Sequence, residues 1–278
     1  MKIARFLIIF FWACQFHVTW AKDQADSKAE KKIEASSAED DVKKGLEVAL
    51  EVDRRDTGFG DSVADLRMIL TNRNNDESIR KLKLKTLEMK GDGDKSLSVF
   101  SSPRDVKGTA FLSFTHAVKA DEQWLYLPAL KRVKRISSDN KSGPFLGSEF
   151  AYEDLTSFEI EKYSYRYLRD EKTNGIDCFV LLLKPLYKHS GYVQEMSWID
   201  KARYIPIKID YYDRKKELLK TLTYTGYQQY LNQYWRAREM LMVNHVTGKK
   251  TLLTWENYKF RNDFTERNFD QNTLKRAR

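Results

Sequence analysis

Apolar and polar residues alternate along most of this chain with a period of two. Leu66, Met68 and Leu70 repeat in this way, as do Leu82 and Leu84 among lysines, and Ile205, Ile207, Ile209 and Tyr211 further on. Successive side chains of a strand point to opposite faces, so each run predicts a strand with one buried side. In KLKLKTLEMK the apolar phase moves from Leu82 and Leu84 to Leu87 and Met89, which predicts a β-bulge near Thr86 and a bend in the sheet. GDGD at 91–94 predicts a tight hairpin turn, and VTGKK a second one between arms near 239–246 and 251–260, with Gly248 in the left-handed position. About ten or eleven strands follow one another through short turns, too many for an open sheet to stay flat.

One segment has a helical period instead. Ser36 and Glu39 have capping-box spacing, and Val42, Leu46, Ala49 and Leu50 lie on one stripe, predicting a helix to about Val52 that buries this face. DRRDTGFGD then reads as a turn. The fold class expected is mainly β (α+β): one strongly curved antiparallel sheet with an N-terminal helix in its concavity or over one mouth.

The chain begins with Lys2 and Arg5, an apolar run from Phe6 to Ala13, and the small residue Ala21. That is the form of a cleavable signal peptide over residues 1–21 and implies export to the periplasm. A membrane span needs roughly 20 apolar residues, and Gln15 and His17 interrupt this run. Lipid attachment at Cys14 is the less favoured alternative, since Phe11 and Trp12 are bulky where that signal takes small or branched residues. Residues 22–35 are polar and predict a linker, leaving 36–278 as a single domain. That domain keeps one cysteine, Cys178 in the apolar stretch DCFVLLL, so its stability must come from its core.

The formal charge of +9 falls to +7 without Lys2 and Arg5, and the cations are interleaved with acids as on solvated strand faces. No nucleic-acid motif accompanies this charge, and anionic lipid head groups are the more available partner for an exported protein. His116, His189 and His245 lie in separate segments without metal-ligand spacing, and no nucleophile elbow or phosphate loop occurs. His189 and Ser190 are adjacent and would point apart in a strand; Glu159 and Glu161 would share a strand face, but carboxylates alternate throughout. The expectation is therefore a non-catalytic protein without cofactor or metal. Trp124, Trp198, Trp235 and Trp255 keep a carbohydrate-binding module open as an alternative through stacking, and an envelope assembly factor is a third reading.

The regular alternation breaks in the middle. WLYLPALKRVKRI, from Trp124 to Ile136, reads as two strands joined at Pro128, or as an aromatic and basic lip. Lys131, Arg132, Lys134 and Arg135 are candidates for head-group or partner contact. The next stretch has no strand period and predicts a flexible lid with a short helix begun by Ser148, carried by Gly143, Pro144, Phe145, Gly147, Phe150 and Tyr152. Leu66, Met68, Leu82, Leu84, Trp124, Tyr126 and Leu127 are candidates for an apolar lining.

DVKGTAFLSF, WLYLPALKRVKRI, GPFLGSEFAYEDL, WIDKARYIPIKIDYYD and NHVTGKKTLLTW resemble the motifs of LolA-like outer-membrane lipoprotein-sorting proteins, over about Leu46 to Arg278. The resemblance implies an incomplete, strongly curved antiparallel half-barrel closed by helices around an apolar cavity. It implies a carrier of lipid or lipidated protein cargo and an association with inner-membrane exporters of the resistance-nodulation-division type; the chain is expected to act as a monomer. The arginine that holds the lid shut in such carriers maps onto no particular arginine here.

Overall fold

The computed structural model describes residues 37–276; the signal peptide, the linker, Ser36 and Cys14 lie outside the described residues. Helix α1, residues 37–56, is followed by strands β1 (Asp61–Thr71), β2 (Glu77–Leu87), β3 (Lys95–Ser102), β4 (Ala110–Phe114), β5 (Glu122–Leu127) and β6 (Arg132–Ile136). After a segment of 3-10 turns come β7 (Tyr163–Thr173), β8 (Ile176–Pro185), β9 (Gln194–Asp200), β10 (Pro206–Tyr212) and β11 (Leu218–Thr225). A small hairpin, β12 (Gln228–Tyr230) and β13 (Tyr234–Arg236), precedes β14 (Glu239–Asn244), β15 (Lys250–Phe260) and the short helix α2 (Gln271–Arg276).

Thirteen strands form one curved antiparallel sheet in the order β6-β5-β4-β3-β2-β1-β15-β14-β11-β10-β9-β8-β7. The first strand pairs with the last, Met68 opposite Leu253, and joins two meanders into one surface. β6 and β7 remain as edges, so the barrel is not closed. Twist and curvature across this many strands create a concave face that must be filled.

Three segments cover the sheet. On the inner face α1 packs Val48 and Ala49 against Tyr165, Leu181, Leu183 and Ile199. The segment between β6 and β7, residues 137–162, crosses the same face and buries Phe145 and Phe150 among Phe100, Phe111, Leu125 and Met68. On the outer face Phe269 and Leu274 pack over Leu97, Leu112 and Trp124.

Several expectations are corrected. α1 does not bury the stripe Val42, Leu46 and Leu50, which are 50%, 38% and 48% exposed. It is turned so that Gly45 meets the β7 backbone, where a Cβ would lie 2.7 Å from the Tyr167 nitrogen, and this close approach selects the face carrying Val48 and Ala49. No bulge occurs at Thr86, and β2 pairs with β1 in unbroken register; the β2–β3 irregularity lies at Lys81/Leu82. The change of phase arises because both faces of β2 are covered at its end, Leu84 inside and Leu87 beneath Phe264. GDGD forms part of a longer loop between Leu87 and Lys95. No α-helix begins at Ser148; its segment is a series of 3-10 turns. The VTGKK hairpin is present, with Gly248 at φ 70°.

Candidate ligand-binding cavity

Inner-face positions of the first four strands shrink from one end of the sheet to the other. β1 presents Met68, Leu66, Ala64 and Ser62; β2 presents Leu82, Leu84 and Thr86; β3 presents Phe100, Ser98 and Ser96; β4 presents Phe111 and Ser113, followed by Thr115. Period-two geometry stacks these series side by side, so large side chains fill one end and small ones leave the other hollow. The result is a cavity of about 870 Å3. Ala49 and Val52 of α1 form one wall, Leu181, Leu183 and Ile199 another, and Tyr224, Met240 and Trp255 a third. It reaches solvent beside Leu50 and Phe158, which are 48% and 42% exposed.

Phe145 and Phe150 close the opposite end, each 1% exposed. The Phe145 amide donates to the Phe150 carbonyl at 2.7 Å, and Leu146 and Gly147 turn with positive φ between them, which sets the two rings side by side. The Phe145 ring lies 5.1 Å from Phe111 and 5.5 Å from Tyr152. Polar groups pin this plug from several strands. Lys220 donates to the Asp154 carboxylate at 2.7 Å and to the Glu149 carbonyl at 3.0 Å, and Tyr192 donates to Asp154 at 2.7 Å. The Lys220 and Asp154 side chains are 5% and 3% exposed, so the ion pair is screened little by water. Glu153 accepts from Tyr187, Ser190 and the Gly191 amide, Arg80 donates to the Leu146 carbonyl, and Asn244 donates to Glu149. Lys141 and Lys162 share Asp121.

The cavity also holds carboxyl groups. Burial pushes Glu195 up to about 8, with repulsion from Asp154 and Glu153 adding to it and Lys220 and a Tyr163 hydrogen bond opposing it. At neutral pH this side chain is therefore mostly protonated, and the inner lining carries little charge there. At the mouth, burial raises Asp94 to about 7 against the Met89 amide hydrogen bond, with Glu159 adding repulsion. Arginines around the mouth are committed: Arg55 to Glu51, Arg203 to Asp200 and Arg236 to Asp56.

The residues singled out from the sequence fall in several places. Leu66, Met68, Leu82 and Leu84 line the cavity, and Leu127 packs against the inner core beside the plug. Trp124 and Tyr126 do not line it; both point to the outer face, Trp124 beneath Phe269 and Leu274, because β5 is covered on both sides and alternation alone cannot choose the inner one. Lys131, on the turn before edge strand β6, and Arg132, Lys134 and Arg135 along it are exposed, and there Arg135 pairs with Glu122 and charge blunts an open edge. Gly143, Pro144 and Tyr152 surround a smaller recess of about 340 Å3. Phe145 and Phe150 belong to the plug and are buried in the inner core, while Gly147 lies exposed at the turn between them.

The tryptophans form no common platform: Trp198 lies on the outer face with its indole donating to Glu171, while Trp235 and Trp255 line the cavity. His189 pairs with Asp139 and Ser190 with Glu153, so the adjacent pair is divided. Glu159 and Glu161 sit at a 3-10 turn, not on a strand. Glu195, Lys220 and Asp154 were not legible as a site; the signal for the hollow end was the run of Ser, Ala and Thr at alternating positions.

A family model described as an uncharacterised protein matches residues 92–276. A crystal structure described as an outer-membrane lipoprotein-sorting protein domain from Vibrio parahaemolyticus is 58% identical, with a TM-score of 0.83, covering 84% of this chain and 99% of that one. The chain belongs to the same family as this outer-membrane lipoprotein-sorting protein domain. A DUF1329 family protein from Desulfovibrio piger is similar at 28% identity and a TM-score of 0.80, over 84% of this chain and 99% of the other. A LolA superfamily protein from Nitrosomonas europaea shares the fold at 19% identity and a TM-score of 0.64, over 85% and 98% of the two chains. No curated protein matches. Among the described residues no helix is long and apolar enough to cross a membrane.

Proposed function

We propose that this protein is a periplasmic carrier that holds the acyl chains of a lipoprotein or another lipid in the hollow end of its half-barrel and moves them between envelope membranes without catalysis. The observation that carries this reading is the cavity of about 870 Å3, within the roughly 300–1,000 Å3 typical of small-molecule sites, with leucine, methionine, phenylalanine and tryptophan in its walls and an opening to solvent. Each methylene leaving water for such a lining contributes about 0.8 kcal/mol. Membership of a lipoprotein-sorting family points the same way. Leu66, Met68, Leu82 and Leu84 contact the chain in this account. The lid candidates Gly143 to Tyr152 form the closed end and are released only if the Asp154–Lys220 pin opens.

An inner-membrane exporter of the resistance-nodulation-division type is the proposed source or acceptor of cargo, engaged by a monomer exported through the signal at residues 1–21. Native mass spectrometry with lipid extraction of protein purified from the periplasm tests the reading. Near-stoichiometric lipid or acylated peptide is expected; an apo mass that takes up no added lipid would refute it and favour an envelope assembly factor.

A further inference from the structure

Antiparallel pairing sorts the turns of the sheet into two rims. The β1–β2, β3–β4, β5–β6, β10–β11 and β14–β15 turns all lie at the plugged end. Exposed cations collect there: Arg104 and Lys107 after β3, Lys131 and Arg132 between β5 and β6, and Lys215, Lys216 and Lys249 on the turns beyond. None of them forms an ion pair with another described residue. Asp213, on the same turn as the two adjacent lysines, turns its carboxylate onto the amides of Lys215 and Glu217. The open end differs, because Arg55, Arg203 and Arg236 are each paired there and Glu88, Asp92 and Glu161 stand among the lining residues.

The same rim carries isolated aliphatic tips. Leu130 and Val246 are 62% and 67% exposed, each on its own turn and each within a few residues of these cations. A protein partner is held by a contiguous apolar patch with shaped pockets, whereas single aliphatic tips spaced among unpaired lysines suit a lipid interface. There the ammonium groups meet phosphates and the tips pass beneath the head groups.

We propose that the plugged rim is a docking surface for an anionic membrane, a role independent of what occupies the cavity. The protein then presents the closed end, with the Arg80–Leu146 and Thr251–Glu149 hydrogen bonds that pin the plug, to the bilayer and keeps its open mouth away from it. Docking and loading therefore use opposite ends of the half-barrel.

The test is co-sedimentation of the mature protein with vesicles of phosphatidylcholine alone or with about 30 mol% phosphatidylglycerol, at low and high salt. Binding to the anionic vesicles, weaker by about tenfold or more on neutral vesicles and at high salt, is expected. Reversing Lys215, Lys216 and Lys249 to Glu together should weaken it at least about tenfold, and Leu130→Ser with Val246→Ser more modestly. Lys90→Glu with Lys119→Glu, at the opposite rim, serves as a control of equal sign and should leave it nearly unchanged. All these positions are exposed turns, and circular dichroism checks that each variant folds. Absence of vesicle binding, equal binding to both vesicles, or an equal loss in the control would overturn the proposal.

Discussion

The two ends of this half-barrel are made by the same strands, yet one is packed and the other hollow. On β3 the inner face carries Phe100 at the packed end and Ser98 and Ser96 at the other; on β1 it carries Met68 and then Ala64 and Ser62. Strand pairing alone therefore does not decide whether a curved sheet encloses space. Side-chain size along a common face does, together with an insert that brings its own aromatic rings to the end it fills. The packed end is also the end where Lys220 grips Asp154 and where Arg80, Asn244 and Thr251 hold the plug, so the insert is anchored at the end it fills.

The largest effect should come from cutting that tie. Asp154→Ala leaves Lys220 buried without its carboxylate and is expected to cost about 3–5 kcal/mol in urea unfolding, with loss of hydrogen-exchange protection over residues 143–155. Retained protection would mean that the aromatic packing holds the plug unaided. Matched truncations sharpen the contrast between the ends. Phe150→Ala, in the packed end, should cost about 3–5 kcal/mol, whereas Leu84→Ala, beside existing free space, should cost about 1–2 kcal/mol. Equal costs would erase the distinction.

Glu195 is tested across pH. The unfolded chain releases this proton near the ordinary 4.5, while the native protein keeps it to about 8, so the native state binds more protons between those values. Its contribution is complete below about 4.5 and is lost as pH rises towards 8, amounting to about 5 kcal/mol. Glu195→Gln should flatten that fall, read from urea midpoints across the window. An unchanged slope would place the proton elsewhere. At the bottom of the scale, Lys83→Ala removes an exposed pair with Asp65 and should alter stability by less than about 0.5 kcal/mol.

Much of the contrast was written in the alternation. Leu66, Met68, Leu82 and Leu84 were legible as one inner face because charged or polar residues alternate with most of them, and the shrinking series was present in the same strands. It becomes visible only when β1 to β4 are set in register, since no single strand shows an empty volume. The plug was not legible, because GPFLGSEFAYEDL has no period and is held by Lys220, Asn244 and Thr251, which are distant in sequence. Trp124 and Tyr126 misled because β5 is covered on both faces, and the turn of α1 depended on Gly45, whose missing side chain leaves no mark in a hydrophobic pattern.

The most direct test fills the hollow end from within. Ser98→Phe continues the Phe100 side of β3 into the cavity, at a stability change below about 2 kcal/mol. Titration of the wild-type and variant proteins with a fluorescent fatty acid should show saturable, near-stoichiometric binding in the first and loss of it in the second, with matching circular dichroism and thermal midpoints. Undiminished binding by a folded Ser98→Phe protein would contradict the assignment of the acyl site to this cavity.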